Sequence, residues 1–368
     1  MSYKSILFFC TAILCLDTEM PSKNKVEEFV IKGVDWERFV LIASTHYILP
    51  ALYIQFQKAD LLHLLPCDLV VYLKHISTQN KKRNSKLLEE VLELNNLLSS
   101  NNINPIFLKG SAHLCLNLYT NNAERMIGDI DLLVAPNEMI RTANILVNVG
   151  YKTLGEFNAE NFDAIKHYPR MCSKDKLMAV EIHKDVVQNR NHRQLNYETI
   201  NSTKQKVNGV FIPSLENLVL HNAINTQMND KHYLFGKINL RQQYDLNLLS
   251  KKIDVQKTFA DFKFYRIKLN SYLIKTACLF QDNLSLHYPK NIFSCIVENS
   301  ILLHCSFPKA FKYANAVLYC SSQSVQYSIL IVEHLGQPKG LKILICKISS
   351  LEWFKRFLRQ NVKAMFSN

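Results

Sequence analysis

Ile106-Phe-Leu-Lys-Gly-Ser-Ala-His113 and Ile127-Gly-Asp-Ile-Asp-Leu-Leu-Val134 decide how this chain folds. The first reads as a strand, a tight Gly-Ser turn and the start of a helix. The second reads as a strand with aspartates at alternate positions. In a strand, residues i and i+2 share a face and lie roughly 6.5–7 Å apart. Asp129 and Asp131 therefore project side by side, while Ile130 and Leu132 turn the other way into a core. Carboxylates held like this suit a pair of Mg²⁺ ions about 3.5–4 Å apart, which clamp the attacking and leaving oxygens in phosphoryl chemistry. The Gly110-Ser111 turn, just before a helix, offers backbone N–H groups and a hydroxyl to a phosphate. A third acid lies in the alternating segment Met178-Ala-Val-Glu-Ile-His-Lys184. If that segment pairs beside the aspartate strand, Glu181 joins the acidic face.

Each signal has a plainer reading. Asp-x-Asp alone is usually a solvated strand face or a turn. Here Ile127, Ile130, Leu132, Leu133 and Val134 surround it, and two unpaired carboxylates in a buried strand are costly without cations. Glu181 could instead pair with a Lys or Arg. His183 shares its face and is expected to hydrogen-bond Glu181 ahead of ligating metal or touching substrate. Lys109 and Arg125 are natural phosphate partners, the first as a point charge and the second through a planar fork. The alternative for both is a salt bridge to the same aspartates. His113 and His221, on helices with apolar neighbours, read as packing histidines. Arg241 and Asp245, four apart on a helix, read as a surface pair worth roughly a few tenths of a kcal/mol. Asp245 is also a candidate for a helix acid acting in transfer. No G-x-x-x-x-G-K-[ST] or G-x-G-x-x-G motif is present, which disfavours a P-loop ATPase or a dinucleotide enzyme.

The order of Gly-Ser turn, Asp-x-Asp strand and later lone acid resembles the DNA polymerase beta superfamily of nucleotidyltransferases. Within it, the chain is most similar to a bacterial group of uncharacterised nucleotidyltransferases. The likeness is carried by Leu108-Lys109-Gly110, Arg125, Asp129 to Val134 and Glu181 to His183. It extends more weakly through Asp35-Trp36 and Arg241-Gln-Gln-Tyr-Asp245. The resemblance implies an α/β (α+β) fold, a small mixed-sheet core with helical regions on either side. The expected limits are 1–100 for the N-terminal helical region, 101–212 for the nucleotidyltransferase core and 213–368 for the C-terminal helical region.

The implied reaction moves an NMP group from an NTP, ATP foremost, to an acceptor hydroxyl and releases pyrophosphate. Asp129, Asp131 and Glu181 would hold Mg²⁺ (or Mn²⁺) in a two-metal arrangement, with Glu181 as the general base. Gly110 and Ser111 would cradle the β- and γ-phosphates, and Lys109 and Arg125 would offset charge on the pyrophosphate. Group resemblance points to a sugar or other small metabolite as acceptor, an association and not a physical argument. Two alternatives stay open: a toxin-like transferase modifying tRNA or protein, and a non-catalytic NTP-binding protein that keeps the fold.

Bulk properties agree without choosing among these. The chain has 368 residues, 48% hydrophobic and 20% charged, so it is globular and not disordered. A net charge of +13 draws polyanions, so RNA is a less favoured but open partner. The 10 cysteines stand singly, as buried hydrophobes of a reducing compartment. Ile6 to Leu16 has the length of a signal-peptide core, but no small-x-small site follows it, and it reads better as a first core helix. No run reaches the ~18 apolar residues of a membrane span, so a cytoplasmic location is expected. Asp35 is an N-cap, and Pro50 and Pro66 mark helix boundaries. One long helix is expected from about Asp68 to Ser99, with Lys81-Lys82-Arg83 on its exposed side. Gly150 closes a helix begun near Asn137, Ser214 caps Leu215 to Asn225, and another helix covers Asn239 to Lys252. Thr153 to Lys176 reads as an irregular loop or lid, and further helices run from about Ile253 to Asn368.

Overall fold

The computed structural model describes residues 1–16, 20–155, 165–187, 195–230, 232–235, 237–281, 283 and 285–315. Seven strands form one mixed sheet: β1 Ile106–Phe107, β2 Asp129–Leu133, β3 Lys152–Thr153, β4 Met171–Cys172, β5 Ala179–His183, β6 Gln205–Val207 and β7 Val210–Ile212. Their order across the sheet is β3-β4-β5-β2-β1-β7-β6. β2 lies antiparallel to β1 and parallel to β5, with Asp131 directly opposite Glu181. The apolar residues of the inner strands explain their central place: Ile130, Leu132, Val180 and Ile182 are wholly buried. The expected acidic pairing across β2 and β5 is therefore present, and in register.

Helices surround this sheet. Cys67–Ser100 runs 34 residues, with Leu69, Leu73, Leu87, Val91, Leu94 and Leu98 on its buried stripe at helical spacing. Pro66 is its N-cap, and Pro50 stands at the start of the helix Leu49–Lys58. Asp35 accepts from Arg38 N at 3.0 Å to start Trp36–Thr45. Met139–Asn148 ends at Gly150, whose φ of +93° favours glycine. Ser214 caps Leu215–Ile224 and Asn239 caps Leu240–Leu249. Tyr3–Leu14 is a core helix, with Ile6, Leu7, Phe9 and Ile13 wholly buried, and it packs on both Leu49–Lys58 and Ile292–Ser306. One buried cluster extends from Ile6 to Cys305 and so draws on all three expected regions.

Some expectations shift. The ends of the 153–176 stretch are ordered by an antiparallel β3–β4 ladder, Thr153 facing Met171; its centre, 156–164, lies outside the described residues. The helices expected beyond 315, and Cys346, also lie outside them. No disulfide joins the cysteines among the described residues. No single helix there is long and apolar enough to cross a membrane.

Candidate active site

The site is built at the end of β1. Leu108 is extended, Lys109 takes a left-handed φ of +50°, and the helix Lys109–Cys115 begins at once. Gly110 is required by close approach, because a Cβ there would lie 2.9 Å from Ile127 Cγ1. Ser111 is buried, and its hydroxyl donates to the Leu108 carbonyl at 2.8 Å. The loop entering β2 is held from the long helix. Asn80 donates to the carbonyls of Ala123 and Arg125 at 2.6 and 3.1 Å, and Asn84 to those of Asn122 and Arg125 at 2.5 and 2.8 Å. Arg83 adds a bond from Nε to Ile127 O at 3.3 Å, so that member of the basic cluster faces the core unit.

Asp131 is the centre of the acidic face and is almost fully buried. The Lys109 ammonium and His183 Nε2, the latter at 2.8 Å, both meet its Oδ1. Burial disfavours its charge, but Lys109 and His183 outweigh that and hold its carboxyl well below the usual range. His183 was expected to bond Glu181; it bonds Asp131 instead and stands 3.6 Å from Glu181 Oε2. Glu181 is held low, first by His183, against the opposing effect of burial. Asp129 moves the other way: burial raises it, as do the charges of Asp131 and Glu181. Its carboxylate lies 3.6 Å from Arg170.

Asp131, Glu181 and His183 each bring a ligand atom within 4.8 Å of the others, close enough for one divalent cation. Asp129, the third acid of the expected set, stands on the same strand outside that cluster. His183 Nδ1 is buried without a hydrogen-bond partner. Metal-ligating histidines nearly always donate their second nitrogen to an acceptor, so this ring reads as a donor that orients Asp131. The donor set left for a metal is carboxylate oxygen, which suits Mg²⁺ or Mn²⁺.

For Arg125, which lines the cleft, the alternative of a salt bridge to the site aspartates does not hold. It meets neither Asp129 nor Asp131 but is gripped by Asp245, with Nε 2.9 Å from Oδ1 and Nη2 2.8 Å from Oδ2. Tyr119 donates its hydroxyl to the same Asp245 at 2.5 Å. Asp245 is therefore no surface partner of Arg241 but a buried anchor for Arg125. His113 is a packing histidine, lowered to about 4 by burial, with Nδ1 3.7 Å from Asp245. A cleft of about 230 Å³ opens over these groups, and its lining includes Lys109, Gly110, Asp129, Asp131, Asp230, Arg241 and Gln242. His221 lines it too. Sequence reading missed Asp230, Gln242 and the place of Arg241, since a polar residue between helices carries no local signal of facing a cleft.

The match to known families is broad. The chain matches the family described as uncharacterised nucleotidyltransferase over residues 32–276. Among solved structures, it is similar to two H. pylori proteins. One carries a provisional nucleotidyltransferase assignment: it is 17% identical, with 58% of this chain and 95% of that one covered and a TM-score of 0.26. The other, JHP933, is 16% identical, with 64% and 97% covered and a TM-score of 0.26. No curated protein matches. The family match takes in the Lys109 turn, both acidic strands and the helix that carries Arg241 and Asp245, and it spans well over half the chain, which belongs to the uncharacterised nucleotidyltransferases.

Proposed function

We propose that this nucleotidyltransferase moves an NMP group from an NTP, ATP first among them, onto the hydroxyl of a small acceptor such as a sugar. The observation that carries this reading is the pairing of Asp131 with Glu181 across parallel strands, with Asp131 lining the cleft that also exposes Lys109 and Gly110. Asp131 and Glu181 would hold Mg²⁺ or Mn²⁺, with Asp129 beside them for a second ion. Such ions, when bound, offset triphosphate charge and lower the pKa of the acceptor hydroxyl. Glu181, ionised and partly exposed, takes the hydroxyl proton as the new O–P bond forms and the bond to pyrophosphate breaks. Lys109 is placed to move from Asp131 to the departing phosphates.

A small acceptor is favoured over a nucleic acid by the lining of the cleft. Among the described residues none that lines it is Phe, Tyr or Trp, so these offer an unpaired base no stacking platform. Thermal melting with each NTP tests the reading. The midpoint is expected to rise when NTP and Mg²⁺ or Mn²⁺ are both present, and not in the double variant Asp129→Asn/Asp131→Asn. No shift with any NTP would sink the nucleotide reading. Incubating labelled NTPs with a cell extract then identifies the acceptor by what becomes labelled.

A further inference from the structure

Among the described residues three Lys or Arg side chains line the cleft, and two are already neutralised: Lys109 by Asp131 and Arg125 by Asp245. Arg241 is not. Among the described residues no carboxylate lies within 4.0 Å of its guanidinium. Asp230, which also lines the cleft, is held by Gln242 Nε2 at 3.3 Å and Asn225 Nδ2 at 3.5 Å. The contacts Arg241 does make are neutral. Its Nη1 donates to the Met126 carbonyl at 3.0 Å, the same oxygen that Arg125 Nη1 reaches at 2.8 Å. Its guanidinium carbon lies 5.0 Å from the centre of the Tyr47 ring, and its buried Nε has no hydrogen-bond partner.

Two guanidinium groups thus converge on one carbonyl, and among the described residues only Arg125 has a carboxylate in contact; Asp245 and Asp230 act on Arg241 from farther off. A largely desolvated cation beside another cation is unfavourable until an anion joins them. Burial, with Arg125 adding to it, pushes the Arg241 pKa down to about 10, which leaves it charged at neutral pH. A planar guanidinium that lines the cleft suits an oxyanion.

We infer that Arg241 is the oxyanion-binding group of the cleft and takes the phosphate tail of the donor nucleotide, with Arg125 locked behind it by Asp245 as a positioning residue. The assignment to the donor rests on the nucleotide reading above and on continuity: the cleft that exposes Arg241 also exposes Lys109, Gly110 and Asp131. The plainer role is a structural clamp on Met126. The two differ in what removal of the charge does. A clamp lowers the melting temperature when lost, whereas an unpaired buried cation leaves it level or raises it.

Full-length Arg241→Gln and Arg241→Lys are compared with wild type by calorimetry against ATP with Mn²⁺, and against inorganic tripolyphosphate with Mn²⁺. Melting without ligand is recorded for each. The glutamine variant is expected to keep its melting temperature and bind both ligands about ten- to a hundredfold more weakly, with the lysine variant between. Tripolyphosphate is expected to compete with ATP. Should the glutamine variant not fold, the lysine variant carries the comparison. Wild-type affinity in both variants overturns the inference and leaves the nucleotide reading standing. Tripolyphosphate binding that needs Arg241, with no NTP bound, keeps the oxyanion site and sinks the nucleotide reading. Tripolyphosphate that binds alongside ATP overturns the assignment to the donor. If wild type binds neither, both readings fall.

Discussion

Lys109 meets two demands at one position. Its backbone takes a left-handed φ of +50°, which costs a non-glycine residue roughly 1–2 kcal/mol, and its ammonium supports the buried Asp131. Strain of this kind persists where the surrounding structure fixes it, and here β1, the helix and Ile127 against Gly110 all do so. Lys109→Met leaves Asp131 with His183 alone among its described partners. Breaking a buried pair costs roughly 3–5 kcal/mol, and the retained His183 bond and partial exposure of Lys109 place the expected loss at about 2–3 kcal/mol. Urea unfolding at pH 7 checks this, with added Mn²⁺ expected to restore part of the loss. A wild-type midpoint would show that the ammonium does not support the carboxylate. The sequence made Lys109, Gly110 and both aspartates legible because strand alternation and turn chemistry are local. It hid the partners of Ser111 and Arg125. The first depends on how the Leu108 carbonyl is aimed by the turn, and the second on Asp245, 120 residues away.

At the level of elements, the helix Cys67–Ser100 does more than bury a stripe. Halfway along that stripe Ser77, Asn80 and Asn84 replace the leucines, and the two asparagines hold carbonyls of residues 122–125 just before β2. The carbonyls of Ala123 and Arg125 would otherwise be buried without donors, since the chain there is neither helix nor strand. Asn84→Ala removes both of its bonds, of which Asn80 still covers the one to Arg125 O. A loss of about 1 kcal/mol is expected for the bond to the half-buried Asn122 carbonyl. Asn84→Leu, which fits the apolar periodicity better, is expected to be no more stable, and NTP-induced stabilisation should fall in both because the loop sets the approach of Arg125 and β2. If the leucine variant gains stability, the asparagines are not the anchors of this loop. The periodicity of the sequence located this helix to within a residue at each end, Asp68 to Ser99 against Cys67–Ser100. A polar residue in an apolar stripe can be a flaw or an anchor, and only the backbone opposite it decides which.

Across the whole molecule, helices distant in sequence share one core, as Tyr3–Leu14 does with Ile292–Ser306. Periodicity shows that a helix has an apolar face but not what meets it, which is why this contact was not legible in the chain. One consequence of the shared core is a set of histidines held neutral by burial. His46, His113 and His232 lie at different places in the fold, and burial pushes each from 6.5 down to about 4. The sign follows from proton uptake. Between pH 6.5 and 4 the unfolded chain binds a proton at each of these positions and the folded chain does not. Their contribution to stability is therefore complete above the unfolded value and is lost as pH falls toward the folded one. Each is worth roughly 1.4 kcal/mol per pH unit across that window. Asp131 and Glu181, whose folded values are lowered, keep their contributions until the pH drops below the ordinary carboxylate range, so they add little to the slope above it. Urea midpoints are expected to hold steady from pH 8 to about 7 and then fall steeply toward pH 5, well above acid titration of the carboxylates. His113→Gln should flatten that slope by the share of one proton while leaving the pH 8 midpoint closer to wild type than the pH 5 midpoint. A stability that stays level between pH 7 and 5 would mean that these rings find water or counter-charges, and that the core around them is looser than its burial indicates.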